Sequence, residues 1–357
     1  MNRLENCRAL LAGCYAQAML CTSYHNKFYL SGLYSSSGYV LITQKQKYVI
    51  VDSRYYEEVR QNNRDAQVLL MTGEKTYDLL INRIIEEENI RTVGFEGDDL
   101  SYDLYRSLEK KLRASLVPVN INPIRAVKDA QEIETIEKAC AIADQAYAHI
   151  LGFVRAGMRE DEVANELVYF MKQNGAMKES FDTIVASGVR GSMPHAKAGA
   201  KQLEAGDLVT LDFGAKVGQY CSDITRTFAV GKMPVPELQK IYETVREAQQ
   251  KGIEAVCAGT CFCNADRAAR SVIEKAGYGE YFGHNLGHSL GISDHEDPRL
   301  SPTEEARMEA GMVVTVEPGI YVPGLGGVRI EDDVLVTENG SRVLTRSPKQ
   351  LIVADKE

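Results

Sequence analysis

Six side chains in the second half of this 357-residue chain have the chemistry to hold a cation or move a proton: Asp212, Asp223, His284, His288, Glu317 and Glu331. Asp212 sits between Leu211 and Phe213, and Asp223 opens the run Asp-Ile-Thr-Arg-Thr-Phe-Ala-Val, so each interrupts what reads as a buried strand. Period-2 alternation puts Asp212 on one face with Thr210, and Asp223 with Thr225 and Thr227, while Leu211, Phe213, Ile224 and Phe228 take the other face. If the connection GAKVGQ is a hairpin-like loop, the two carboxylates converge. Ionised carboxylates brought together in a core repel and lose hydration, so one must be protonated unless a cation lies between them. A metal is the economical answer.

Downstream, GHNLGHSLG supplies His284 and His288, with glycines that allow close backbone approach around the second histidine. VVTVEPGIYV places Glu317 at the end of an apolar strand, and GGVRIEDDVLV places Glu331 inside another. Asp212, Asp223, His288, Glu317 and Glu331 make a mostly oxygen donor set. Its four carboxylates balance two divalent cations, with Mn²⁺ preferred, Co²⁺ suited and Zn²⁺ feasible. Each residue alone has an ordinary explanation: an aspartate at a strand end is commonly a cap or turn residue. Glu317 and Glu331 could pair with Arg329 or Arg342, and His288 could be a satisfied core histidine. Joint occurrence favours the metal.

Elements must position these groups, and the chain has room for two domains. An apolar fraction of 44% and a charged fraction of 25% are those of an ordinary globular protein, and a net charge of -9 argues against nucleic acid or anionic lipid as partner. The first twenty residues read as a helix without an export signal, and no apolar run is long enough to span a membrane, so a cytoplasmic location and free thiols are expected for the eight cysteines. Cys257, Cys261 and Cys263 lack a second ligand group and are read as packing in helix and turn.

The segments GYVLIT and KYVIVD read as a hairpin, and SRYYEEVRQ as a helix capped by Asp52 or Ser53. Alternating strands and helices follow to about residue 113, an α/β pattern with a partly parallel sheet. Pro118 and Pro123 precede a charged amphipathic run and place the boundary between domains 1–123 and 124–357. Beyond it come helices over 128–153 and 159–174 with strands over 182–187, 207–213 and 222–230. Helices over 236–256 and 264–276 then precede strands around 312–318 and 329–337. Two helices followed by strands, twice over, reads as a duplicated α+β unit.

Taken in order, LDFGAKVGQYCSDITRTF, HNLGHSLG, TVEPGIYV and GVRIEDD resemble the aminopeptidase P, prolidase and creatinase branch of the dinuclear metallopeptidases, over residues 124–357. NKFYLSGLYSSSGYVLIT resembles, more weakly, the amino-terminal domain of the same proteins. The resemblance implies a creatinase-like α/β amino-terminal domain and a pita-bread catalytic domain. It implies Asp212, Asp223, His288, Glu317 and Glu331 as ligands of two ions, with Asp223 and Glu331 bridging. It further implies that His195 contacts substrate near the scissile amide, that His295 bonds the developing oxyanion, and that His284 lines the pocket beyond the cut bond. Arg299 stands where prolidases hold a dipeptide's carboxylate, and Arg329, just before the bridging Glu331, orients that ligand or the pocket.

The implied reaction is hydrolysis of the bond between an N-terminal residue and proline, in dipeptides, longer peptides or both, by a homodimer. Two ions lower the pKa of a shared water, and Glu317 is suited to take its proton. A creatinase-like hydrolase of a small non-peptide and a metal-free binding module are the alternatives, against which the intact ligand set argues. Asp294 and Gln219 depart from the residues usual in relatives, without touching an implied ligand.

Overall fold

The apolar stretch that closes the first twenty residues is strand, not helix. In the computed structural model, which describes residues 3–355, α1 (Arg3–Gly13) ends before Tyr15 takes φ 56°, and Ala18–Cys21 forms β1, buried at every position. Left-handed backbone at a non-glycine residue cannot continue a helix. The first two residues of the expected helix lie outside the described ones.

The chain divides into two units after Arg125. In the first, α2 (Tyr24–Ser31) starts on Ser23, whose side chain accepts from Asn26 N, and ends at Gly32 with φ 71°. The expected hairpin is β2 (Tyr39–Thr43) against β3 (Lys47–Val51). Helix α3 (Tyr56–Asn62) begins later than expected, because Asp52 accepts from the backbone and guanidinium of Arg54 instead of capping. Then follow β4 (Gln67–Leu70), α4 (Tyr77–Glu88), β5 (Thr92–Glu96), α5 (Tyr102–Lys111), β6 (Ser115–Val119) and the short α6 (Asn122–Ala126), which spans the division. The sheet order is β4-β3-β2-β1-β5-β6, with β1, β5 and β6 parallel.

In the second unit, Asp129 and Glu132 form a reciprocal capping box that starts α7 (Ala130–Phe153). Helix α8 (Glu160–Gln173) follows, then β7 (Lys178–Glu179), β8 (Ile184–Ser187), β9 (Leu208–Phe213), β10 (Ala215–Val217), β11 (Tyr220–Cys221) and β12 (Ile224–Val230). Helices α9 (Pro236–Glu254) and α10 (Phe262–Lys275) open the second half. Its strands are β13 (Gly287–Ser289), β14 (Glu296–Leu300), β15 (Val313–Val316), β16 (Gly319–Val322), β17 (Gly326–Arg329), β18 (Asp332–Thr337) and β19 (Gly340–Val343); β20 (Val353–Ala354) returns to pair with β12.

Each half buries its own apolar cluster. Ile142, Tyr147, Leu167, Leu211, Phe213 and Phe228 belong to the first, and Ile241, Val245, Phe262, Ile273, Val314 and Val334 to the second. The main sheets run β20-β12-β9-β8 and β14-β13-β15-β18-β19. Among the described residues no helix is long and apolar enough to cross a membrane.

Candidate metal centre

Strands β9 and β12 are antiparallel with Asp212 opposite Thr225, so Asp223 lies two residues further along the same face. The opposite face, with Leu211, Phe213, Ile224 and Phe228, goes into the core. Between the strands, β10 and β11 make a tight hairpin whose two central residues, Gly218 and Gln219, both have positive φ, 51° and 72°. Such a turn matches the strand twist. Gly214, just after Asp212, has no room for a side chain: a Cβ there would lie 1.9 Å from Ser222 O. The close approach of these two backbones brings the aspartates together.

Strand β13 carries His288, and Gly287 before it is pressed against Thr315 O, where a Cβ would come within 2.1 Å. Glu317 follows β15. Glu331 is not inside a strand as expected; it occupies the break between β17 and β18, where its backbone N–H donates to Thr225 O and its side chain accepts from Thr225 Oγ1 at 2.6 Å. Asp223, His288 and Glu331 offer ligand atoms within 4.8 Å of one another. His288 Nε2 lies 3.3 Å from Glu317 Oε1, and Arg329 donates to Asp212 Oδ2 at 2.5 Å.

All ten residues singled out in the sequence line one cavity of about 640 Å³ in the second unit, and their placement differs. Arg329 is buried; it donates to Asp212, Tyr321 Oη, Thr225 Oγ1 and Pro194 O, so it holds Asp212 directly and reaches Glu331 through the Thr225 hydroxyl. His284 is bound to Tyr321 Oη at 2.9 Å. His295 stacks on His288 with ring centres 3.9 Å apart, its Nδ1 3.1 Å from Asp294. Arg299 is half exposed, and among the described residues its side chain reaches only Asp297. His195 is exposed at the mouth. Arg342 pairs with Glu137, away from the cavity.

The electrostatics are those of a site built for a cation. Burial, then the charges of Glu331 and Asp212, hold the Asp223 carboxyl far above its ordinary range. Burial, then Glu317 and Asp212, do the same to Glu331. For Glu317 burial acts upward, yet the hydrogen bond and charge of His288 outweigh it and bring the acid down to about 2. Burial works against charge on His288, but the same contact with Glu317 raises the imidazole. Asp212 Oδ1 and Asp223 Oδ1 are buried without a hydrogen-bond partner among the described residues. A buried carboxylate oxygen left so is costly unless a ligand meets it. These residues fit a divalent metal.

The comparison that decides the family is a match of residues 134–338, more than half of the chain, to Metallopeptidase family M24. This chain belongs to metallopeptidase family M24. Residues 3–127 of the M24 chain match the Creatinase/Prolidase N-terminal domain. It is 41% identical to the Xaa-Pro dipeptidase of Pyrococcus furiosus, covering 92% of each chain. Its fold overlays an Xaa-Pro dipeptidase from Bacillus anthracis with a TM-score of 0.95 at 42% identity, covering 98% of this chain and 99% of that one. An X-Pro aminopeptidase from Thermotoga maritima gives 0.90 at 34% identity, covering 97% and 100%. The two helix-helix-strand halves are therefore the pita-bread arrangement of M24 enzymes.

Sequence reasoning missed Tyr321, which joins His284 to Arg329, and Thr315, which donates to Glu317 at 3.2 Å. It also missed Asp333, whose Oδ2 accepts from Asp223 N at 2.9 Å. Tyr321 stood in the GIYV segment four residues after Glu317, a legible signal; the other two follow from cross-strand register alone. The expectation of free thiols fails at one place: Cys261 and Cys263 are joined as a disulfide across a single residue, and the other six cysteines are free. The cap of α10 brings these two sulfurs together, which spacing alone did not reveal.

Proposed function

We propose that this chain hydrolyses Xaa-Pro dipeptides, with Asp212, Asp223, His288, Glu317 and Glu331 holding two divalent cations, manganese preferred. The observation that carries the reading is the pair of buried, unpartnered oxygens on Asp212 and Asp223 in a cavity that also collects His288, Glu317 and Glu331. Manganese is supported by the donor set of four carboxylates and one imidazole. Bound divalent cations supply a water of lowered pKa and a Lewis acid for the scissile carbonyl.

The chain's own groups do the rest. Glu317 takes a proton from the attacking water and delivers it to the prolyl nitrogen, which as a tertiary amide nitrogen needs it to leave. His295 donates to the oxyanion that develops on the carbonyl, and His195 contacts the substrate beside the scissile bond. Arg329 holds Asp212 in place, and Tyr321 links Arg329 to His284 in the wall of the pocket. Arg299 meets the carboxylate of a dipeptide with its planar guanidinium. The half-exposed position of Arg299 on the cavity wall and the higher identity to the Pyrococcus furiosus and Bacillus anthracis dipeptidases than to the Thermotoga aminopeptidase favour the dipeptide over longer peptides. We further take the working form to be a cytoplasmic homodimer; light scattering of the pure protein checks its dimeric state.

The test uses protein stripped with chelator and reloaded with Mn²⁺, assayed on Ala-Pro and Ala-Pro-Ala. Cleavage of Ala-Pro is expected, at a rate at least ~10-fold above that of the tripeptide, because the tripeptide lacks a carboxylate on proline for Arg299 to meet. Asp223→Asn and His288→Ala should lose both activity and bound metal. Metal-loaded protein inert towards both peptides would remove the reading.

A further inference from the structure

The segment from Ser187 to Gln202, with His195 near its middle, is fastened at both ends to the first turn of α8. At its start, Glu160 Oε1 accepts from Ser187 N at 2.9 Å and from Ser187 Oγ at 2.8 Å. At its end, Glu160 N donates to Lys201 O and Asp161 N to Gly199 O, both at 3.0 Å, and Arg159 bridges to Gln202. Arg190 ties the two arms together: Nε donates to Glu160 Oε2 at 3.0 Å and Nη2 to Lys197 O at 2.6 Å. Lys197 is two residues beyond His195.

Two further contacts hold the loop against the site. Gly191 packs on Gly327 of β17 so closely that a Cβ on Gly327 would lie 2.1 Å from Gly191 O. Arg329 Nη1 donates to Pro194 O at 3.3 Å. Among the described residues no hydrogen bond reaches the His195 ring, so its aim is set by the backbone that carries it.

We propose that Arg190, seated on the fully buried Glu160, is the positioning residue that aims His195 into the cavity, and that the first turn of α8 is therefore part of the substrate-binding apparatus. This rests on the reading of His195 as a substrate contact. Removing the Arg190 side chain leaves Glu160 bonded to Ser187, so the start of the loop stays anchored while its link to Lys197 is lost. The consequence falls on the placement of His195 and not on metal binding, because Arg190 contacts none of the five proposed ligands.

The experiment uses the full chain and the variants Arg190→Met, Arg190→Lys, His195→Gln, the double variant Arg190→Met with His195→Gln, and Arg246→Met as a control, an exposed arginine paired with Glu243 on α9. Arg190→Met should lower kcat/KM on Ala-Pro by about 10- to 100-fold, the range expected for a misaimed substrate contact. Bound metal should stay at the parental stoichiometry, Arg190→Lys should recover part of the loss, and Arg246→Met should match the parent. The double variant should be no worse than His195→Gln alone, since two residues acting through one contact are not additive.

Ring NMR of the six histidines in zinc-loaded protein gives a readout that does not need turnover. The signal lost in His195→Gln should shift in Arg190→Met while that of His149 stays. Multiplying losses in the double variant, or an unmoved His195 signal, would overturn the assignment. If the parent cleaves no Xaa-Pro peptide, the peptidase reading falls and the NMR arm still decides the positioning claim. If Arg190→Met does not fold, Arg190→Lys and Glu160→Gln carry the same two readouts.

Discussion

At the residue scale the molecule is governed by acids it has removed from water. Asp333 is fully buried behind the cavity, where burial, opposed by the bonds from Asp223 N and the Cys140 thiol, raises its carboxyl to about 7. In an unfolded chain such a group titrates near ~3.9. The folded state therefore keeps a proton that the unfolded state has lost. Stability from this group is fully present below about pH 4 and lost as pH rises to about 7. In chelated protein, Asp333→Asn abolishes the titration while its amide oxygen can still accept from Asp223 N. Urea unfolding should show parent and variant close together at pH 4 and the variant more stable at pH 8, by no more than about 4 kcal/mol. Equal stability at both values would mean that Asp333 carries no such load. Asp212, Asp223 and Glu331 were legible in the sequence because charge inside an apolar run contradicts burial. Asp333 was not, since its neighbour Asp332 shares its type and only the fold separates their roles. Asp332 is paired with Arg226 at 2.6 Å, and burial of its charge is outweighed by Arg226 and Lys349, which lower it.

At the scale of elements, that Arg226–Asp332 pair joins β12 to β18 behind the site, and Arg226 also donates to Thr225 O, Ser347 O and Glu331 O. Arg226→Met leaves Asp332 buried with Gln249, Thr345 and Lys349 as its remaining partners. Breaking a buried pair from one side costs about 3–5 kcal/mol, so a loss of that size is expected in equilibrium urea unfolding. A loss under 1 kcal/mol would show that the remaining partners suffice. Gly214→Ala tests the strands from the opposite direction: its Cβ would meet the Ser222 carbonyl, which cannot move without separating β9 from β12. A destabilisation of at least ~2 kcal/mol and weakened metal binding should appear together. The long helices α7 to α10 were readable because their apolar residues recur at helical spacing over many turns. The four residues Ala18–Cys21 were not, because a short, fully buried strand has no alternation to separate it from an adjoining helix.

At the scale of the molecule, every residue proposed to hold metal or touch substrate belongs to the second unit, and so do the clusters of apolar side chains beneath them. The first unit has its own core, built from Leu20, Leu41, Ile50, Ile81 and Val93 around the six-stranded sheet. A unit that buries its own apolar faces has the main requirement for folding alone. Metal affinity depends on how firmly the ligand-bearing strands are held, and the pairs that hold them, β9 with β12 and β15 with β18, lie within residues 126–357. Residues 126–357 produced alone should therefore fold cooperatively and bind Mn²⁺ with a Kd within about tenfold of the full chain, a difference of ~1.4 kcal/mol. Residues 1–125 alone should fold without binding it. Calorimetric titration of chelated fragments measures both. A catalytic unit that folds yet binds Mn²⁺ more than a hundredfold weaker would show that the first unit takes part in organising the metal site, beyond the contacts within residues 126–357.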